Sequence, residues 1–305
     1  MFRKYGIIGL VMILIAEIGL FMNWEPFTSF FFLFVWFGYI LLIDAIVYKL
    51  QRNSLIMNHK WILFGLFALS ALVWWMFEFF NVFFLKNWVY TRSFETSALV
   101  NTVAHATYWT GWLRHIGKTL AFATVIPAIF ETAHMLKAFH FFDHKKLKRE
   151  KKRDHIHKDW LYLIIVLGII ILILSMVLPQ YFFGGIWIAF FFILDPINYI
   201  YHEPSIIGYL KKREFKIPFS FFFGAFIVGF FWEFWNYWAV VKWQYSLPVL
   251  GILENIKLFE MPLIGYLGYG PFALELFAMY YFVRLLKREA IYVEKKILHI
   301  PKKKR

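Results

Sequence analysis

The chain has 305 residues, 61% of them apolar and 23% aromatic, with a mean hydropathy of +0.60 and a formal charge of +14. That composition is far more apolar than soluble usage and excludes an ordinary globular domain. With no cysteine, disulfides, thiolate catalysis and Cys-ligated metals are excluded too.

The positive charge is clustered. Lys and Arg fall in Arg3/Lys4, Lys49–Lys60, Lys137–Lys158, Lys211–Lys216 and Arg284–Arg305, separated by apolar stretches. Only Lys86, Arg92, Arg114, Lys118, Lys242 and Lys257 lie between those clusters. If the apolar stretches cross a membrane, the five clusters share one side, which the positive-inside rule makes the cytoplasm. Topology and anionic lipid headgroups then account for the basic balance, and a nucleic-acid partner is not expected.

In chain order the expected spans are roughly 5–23, 28–50, 61–84, 118–138, 160–178, 182–201, 217–240 and 262–286. The first is read as a retained helix, because no small-x-small cleavage site follows Phe21. Spans three and four are joined by the longest outer connection, 85–117. Its stretch Ser97–Arg114 carries Tyr108, Trp109 and Trp112 and reads as interfacial or re-entrant. The segment 139–159 is too polar to span and divides the chain.

An internal repeat runs through these spans. Glu78 is followed at 3, 10 and 12 residues by Asn81, Trp88 and Tyr90, and Glu233 at the same spacings by Asn236, Trp243 and Tyr245. Trp36, Asp44, Tyr48 and Ser54 match Trp187, Asp195, Tyr199 and Ser205. Pro127, Glu131 and Met135 match Pro271, Glu275 and Met279. The expected fold is therefore an all-α integral membrane protein with eight transmembrane helices as two tandem four-helix repeats, 1–138 and 160–286. A basic cytoplasmic linker, 139–159, joins them, and a basic cytoplasmic tail, 287–305, follows. An even number of helices per repeat gives both copies one orientation and a pseudo-two-fold axis along the membrane normal. The expected location is the cytoplasmic (inner) membrane with both termini in the cytoplasm.

The repeated acids are the candidate functional groups, because charge within a bilayer is costly and usually lines an interior or a path. At the helical rise per residue, Asp44, Glu131, Asp195 and Glu275 lie roughly 20 Å below the outer surface. They are the candidate catalytic set. Glu78, Asn81, Trp88, Tyr90, Glu233, Asn236, Trp243 and Tyr245 form an outer polar or substrate-binding layer. Pro127 and Pro271, four residues before their Glu, are expected to kink their helices and free backbone groups beside Glu131 and Glu275. The aromatics of the outer layer also fit an interfacial belt.

Histidines crowd one end (His134, His140, His144, His155, His157), but the second copy offers only His202, so no metal site is expected. His105 and His115 of the outer connection fall near the Glu78 layer. No Gly-rich phosphate loop, Asp-rich diphosphate motif, HExxH or G-x-S-x-G is present, and no cofactor is expected.

Three functions fit the buried acids. The first is an intramembrane enzyme on an isoprenoid or other lipid-like substrate, using carboxylate acid–base chemistry in an aromatic cavity. The second is a proton-coupled transporter or lipid flippase. The third is a structural or assembly subunit whose acids lock helices together. Membrane lipids are the expected partners. The small membrane lycopene cyclases are also aromatic-rich and duplicated, but their closely spaced Pro and double Glu are not reproduced by Pro127-Ala-Ile-Phe-Glu131 or Pro271-Phe-Ala-Leu-Glu275. No family is assigned on that ground.

Overall fold

The computed structural model describes residues 2–90, 107–140, 142, 156–246 and 256–297. The elements in chain order are α1 (Lys4–Phe21), α2 (Phe31–Gln51), α3 (Leu55–Asn58), α4 (Lys60–Phe80), β1 (Trp88–Tyr90), α5 (Thr107–Ala123) and α6 (Val125–Ala138). The second half follows with α7 (Lys158–Val177), α8 (Pro179–Phe182), α9 (Ile186–Ile200), α10 (Ile206–Lys211), α11 (Lys216–Trp238), β2 (Trp243–Tyr245), β3 (Lys257–Leu258), β4 (Met261–Pro262) and α12 (Tyr269–Ile297). The protein is all-α in class, with two small ribbons. Among the described residues seven helical stretches are long and apolar enough to cross a membrane. They match the first seven expected spans, and α12 stands where the eighth was expected. Most of the linker 139–159 and the tail beyond Ile297 lie outside the described residues, as do His105, His144 and His155.

Long helices pack where small residues let backbones approach, as expected for helices in lipid. Gly9 of α1 lies against the Gly38 carbonyl of α2, where a side chain would clash. Gly168 of α7 fits α9 similarly, its missing Cβ falling 2.9 Å from the Ala189 carbonyl. The halves meet through α6 and α11, where the Phe130 and Phe221 rings cross at 4.9 Å and Gly224 faces Ala133. Higher up, Trp36 of α2 meets Trp235 of α11 edge-on at 5.0 Å. Arg3 at the start of α1 meets Tyr48 near the end of α2, Lys216 at the start of α11 meets His140 after α6, and β1 and β2 follow the opposite ends of α4 and α11. These two ends are called the basic end and the ribbon end below.

Two sequence expectations change here. The fourth expected span, 118–138, is two helices broken at Thr124. Ser70 of α4 repairs the break: its hydroxyl donates to the Phe122 carbonyl (2.6 Å) and accepts from the Ile126 amide (3.0 Å). Consequently Pro127 is the third residue of α6 and Pro271 the third of α12. For Pro127 the interruption falls where a proline is expected to put it, beside the Ala123 carbonyl four residues earlier, whereas Pro271 begins its helix without a kink. In a first turn the missing N–H has no intrahelical partner to lose, so proline there sets where the helix begins. The expected interfacial stretch Ser97–Arg114 is described only from Thr107, where the chain is already helical as the start of α5.

Candidate functional site

The site is built from the ends of α4 and α11. Beyond Phe80, α4 continues as one π-helical turn, Asn81–Leu85, and reverses at Lys86, whose φ of 55° is left-handed. Asn81 makes this reversal specific. Its Oδ1 accepts from the Asn87 (2.8 Å) and Trp88 (3.2 Å) amides, and its Nδ2 donates to the Trp88 carbonyl (2.8 Å). Asn236 does the same after α11, accepting from the Trp243 amide (2.9 Å) and donating to its carbonyl (2.8 Å). Only a carboxamide offers donor and acceptor together in the geometry of a neighbouring strand.

The two strands so positioned pair with each other. β1 and β2 are antiparallel, with Trp88 opposite Tyr245, Val89 opposite Gln244 and Tyr90 opposite Trp243. Alternation along a strand puts the four aromatic residues on one face and Val89 and Gln244 on the other. Val89 and Gln244 are exposed; the four aromatics, from buried Trp88 to partly exposed Tyr90, roof a cavity of about 630 Å³. Trp36 and Trp187 stand in its walls with Trp74, Trp232, Phe122 and Phe272. Its volume is within the roughly 300–1,000 Å³ of small-molecule sites, and an apolar lining with few polar groups is the usual pattern.

Behind the roof lies one carboxylate from each half. Glu78 Oε1 accepts from the Trp88 indole N–H (3.0 Å) and the Tyr90 hydroxyl (2.6 Å), and its Oε2 accepts from Lys118 Nζ (2.9 Å). The Lys118 ammonium also sits over the Tyr90, Phe122 and Trp75 rings, at 4.2, 5.3 and 5.4 Å from their centroids. Glu233 Oε1 accepts from the Tyr245 and Tyr269 hydroxyls, both at 2.7 Å. Its Oε2 is buried without a hydrogen-bond partner among the described residues. Trp243 donates to the Tyr245 hydroxyl (2.7 Å) and also lies beside the Glu233 carboxylate. Burial, followed by the adjacent carboxylate, pushes the Tyr90 and Tyr245 hydroxyls well above their ordinary range, so both stay protonated and donate.

The acids nearer the basic end have different surroundings. Asp44 and Asp195 each hold the start of a short helix. Asp44 accepts from the Ile56 amide (2.9 Å), the Ser54 hydroxyl (2.9 Å) and the Tyr5 hydroxyl (2.5 Å). Asp195 accepts from the Ile206 (2.7 Å) and Ile207 (2.8 Å) amides. Ser54 and Ser205, the matched serines, cap those helices through the Met57 and Gly208 amides. Asp carboxylates that satisfy helix N-termini have an evident structural task. Glu131 and Glu275 are completely buried, and none of their carboxyl oxygens has a partner among the described residues. Glu131 lies within electrostatic reach of Asp44, and none of the four acids lines the cavity.

The outer polar layer thus comes together around one cavity, with Asn81 and Asn236 as braces. Sequence reasoning left out Lys118, Tyr269, Trp36 and Trp187 as site residues. Trp36 and Trp187 were legible, since they are a matched pair. Lys118 and Tyr269 carried no comparable signal, because they differ between the halves. His115 stacks near Trp75, at 6.4 Å between ring centroids, and does not reach Glu78.

No family model, curated protein or solved structure matches this chain.

Proposed function

We propose that this protein is an intramembrane enzyme that takes an isoprenoid or other lipid-like substrate into the aromatic cavity and acts on it by carboxylate acid–base chemistry. One observation carries the reading: a 630 Å³ apolar cavity whose roof tyrosines are hydrogen-bonded to a buried glutamate from each half. Proton handling falls to Glu233 with Tyr245 and Tyr269, because Glu233 keeps a free acceptor while Glu78 is occupied by Lys118. Asp44 and Asp195, whose oxygens hold helix starts, position the scaffold.

The same reading has the chain as eight helices in two tandem repeats, 1–138 and 160–286, in the inner membrane with the basic end in the cytoplasm. The ribbon supports the duplication: matched residues Trp88/Trp243 and Tyr90/Tyr245 pair crosswise, as a two-fold axis between Val89 and Gln244 requires. The substrate then enters from the lipid, at the ribbon end of the bundle.

The test is native mass spectrometry of the full chain in mild detergent, together with lipid extracts of cells expressing wild type or Glu233→Gln. A co-bound apolar molecule and a lipid species that changes only with wild type support the proposal. Extracts indistinguishable between the two overturn the chemistry. A proton-coupled transporter is the second reading, favoured by Glu131 and Glu275, two buried carboxyls with no hydrogen-bond partner among the described residues and no place in the cavity lining. It requires lipid or solute flux that responds to a pH gradient and fails in Glu131→Gln.

A further inference from the structure

The two carboxylate clusters share one framework but are filled differently. In each, a glutamate on the last turns of a long helix binds the tyrosine that closes the ribbon strand. In the first, a lysine of the chain supplies an ammonium to the remaining carboxylate oxygen, with three aromatic rings around it. In the second, that oxygen, Glu233 Oε2, is buried and has no hydrogen-bond partner among the described residues. Glu233 itself has no exposed surface. The sequence explains the difference. Nine residues before Pro127 stands Lys118, and nine residues before Pro271 stands Pro262, which cannot donate. The only cation close in sequence on the other side, Lys242, is bound to Glu260 at 2.5 Å.

We propose that Glu233 Oε2 recognises the ammonium group of an amine-bearing lipid whose chain lies in the aromatic cavity, in the way that Glu78 Oε2 holds the ammonium of Lys118. This rests on the cavity being the substrate site and names the polar end of the substrate, whose ammonium N–H proton is then the one that Glu233 Oε2 accepts, leaving the neutral amine. Access is consistent with the first half: Glu78 does not line the cavity either, yet a side chain that does line it reaches Oε2. The aromatic surroundings are also in place. Tyr269, Trp232 and Trp243 line the cavity on the Glu233 side, with the Tyr269 and Trp232 ring centroids 6.0 Å apart. Ring faces attract ammonium ions, and a buried acceptor left unpaired is costly until a donor arrives. Met261, Ile264 and Gly265, the stretch that replaces the Lys118 turn, leave an apolar surface for the alkyl chain.

The experiment uses the full chain in nanodiscs, with dodecylamine and dodecanol as probes of equal chain length. Binding is read by quenching of the cavity tryptophans and by bound probe per chain. Wild type should take dodecylamine roughly tenfold or more tightly than dodecanol, as a charge-assisted hydrogen bond in an apolar site implies. Glu233→Gln should remove that preference and leave dodecanol binding unchanged. Lys118→Met, which empties the first cluster, should add a second amine per chain. Equal affinity for amine and alcohol in wild type, or a preference that survives Glu233→Gln, overturns the inference and leaves the cavity reading standing. Failure of both probes to bind overturns the two together.

Discussion

The Glu78 and Glu233 clusters share one framework and differ in what completes it: Trp88 and Lys118 donate to Glu78, whereas Tyr269 donates to Glu233. Both hang from Glu and Asn three residues apart on a helix, and both tie a Trp-x-Tyr strand to the roof of one cavity. Lys118 completes the first as a self-contained ion pair. The second ends in an acceptor that nothing in the described chain satisfies. A closed network of this kind stabilises its own geometry, whereas an open one is held by its neighbours and remains available to a ligand. The comparison separates a carboxylate paired within the described residues from one that keeps an unpaired oxygen there.

The largest effect should come from breaking the closed half. Glu78→Gln leaves the Lys118 ammonium without its carboxylate, and about 2–3 kcal/mol of stability should be lost, somewhat below the figure for a fully buried pair because Lys118 is 29% exposed. Thermal unfolding in detergent would show it as a clear drop in midpoint. An unchanged midpoint would mean that the pair contributes nothing. Lys118→Met in the same background should recover part of the loss.

The helix-holding aspartates sharpen the contrast at the basic end. Asp195→Asn must turn an NH₂ group toward a backbone N–H, which cannot reverse, and should cost about 1–3 kcal/mol. Asp44→Asn should cost less, about 1 kcal/mol or under, because the hydroxyls of Tyr5 and Ser54 can rotate to accept from the new amide. Parallel unfolding of the two variants checks the order; equal losses would contradict the account of the bonds.

Gly229→Ala places a methyl 2.5 Å from the Tyr269 ring, which must move and slacken its bond to Glu233. Overpacking of this kind costs about 1–3 kcal/mol. The sharper readout is function, since any lipid conversion should fall well beyond the loss of folded protein. The smallest structural effect belongs to Glu233→Gln: its carbonyl can still accept from both tyrosines, and stability should stay within about 1 kcal/mol of wild type. Activity should nonetheless disappear. A midpoint as low as that of Glu78→Gln would make Glu233 a structural group like its counterpart.

Much of this was legible before any coordinates. The apolar stretches locate seven helices to within a few residues, because hydropathy and length alone decide whether a segment can cross lipid. The Glu-Asn-Trp-Tyr spacing singled out the residues that form the roof, since a repeated rare pattern marks a repeated local structure. The prolines were legible in part: the span is interrupted one turn before Pro127, where Ser70 on another helix satisfies the broken turn, but Pro271 begins a helix and kinks none. Depth along the helix grouped Asp44, Glu131, Asp195 and Glu275, but depth does not carry their partners: the two aspartates hold helix starts, and the two glutamates have no hydrogen bond among the described residues.

By itself, then, the sequence determined that this chain is a membrane-type helical protein, and which residues recur in its two halves. It did so because burial in lipid imposes length and hydrophobicity, and spacing survives in the linear order. Only the tertiary structure decided that β1 pairs with β2, that the four aromatics roof one cavity, and that Lys118 fills one glutamate and leaves the other open. Those outcomes depend on contacts between segments 40 to about 155 residues apart, whose side chains meet only when the helices have packed.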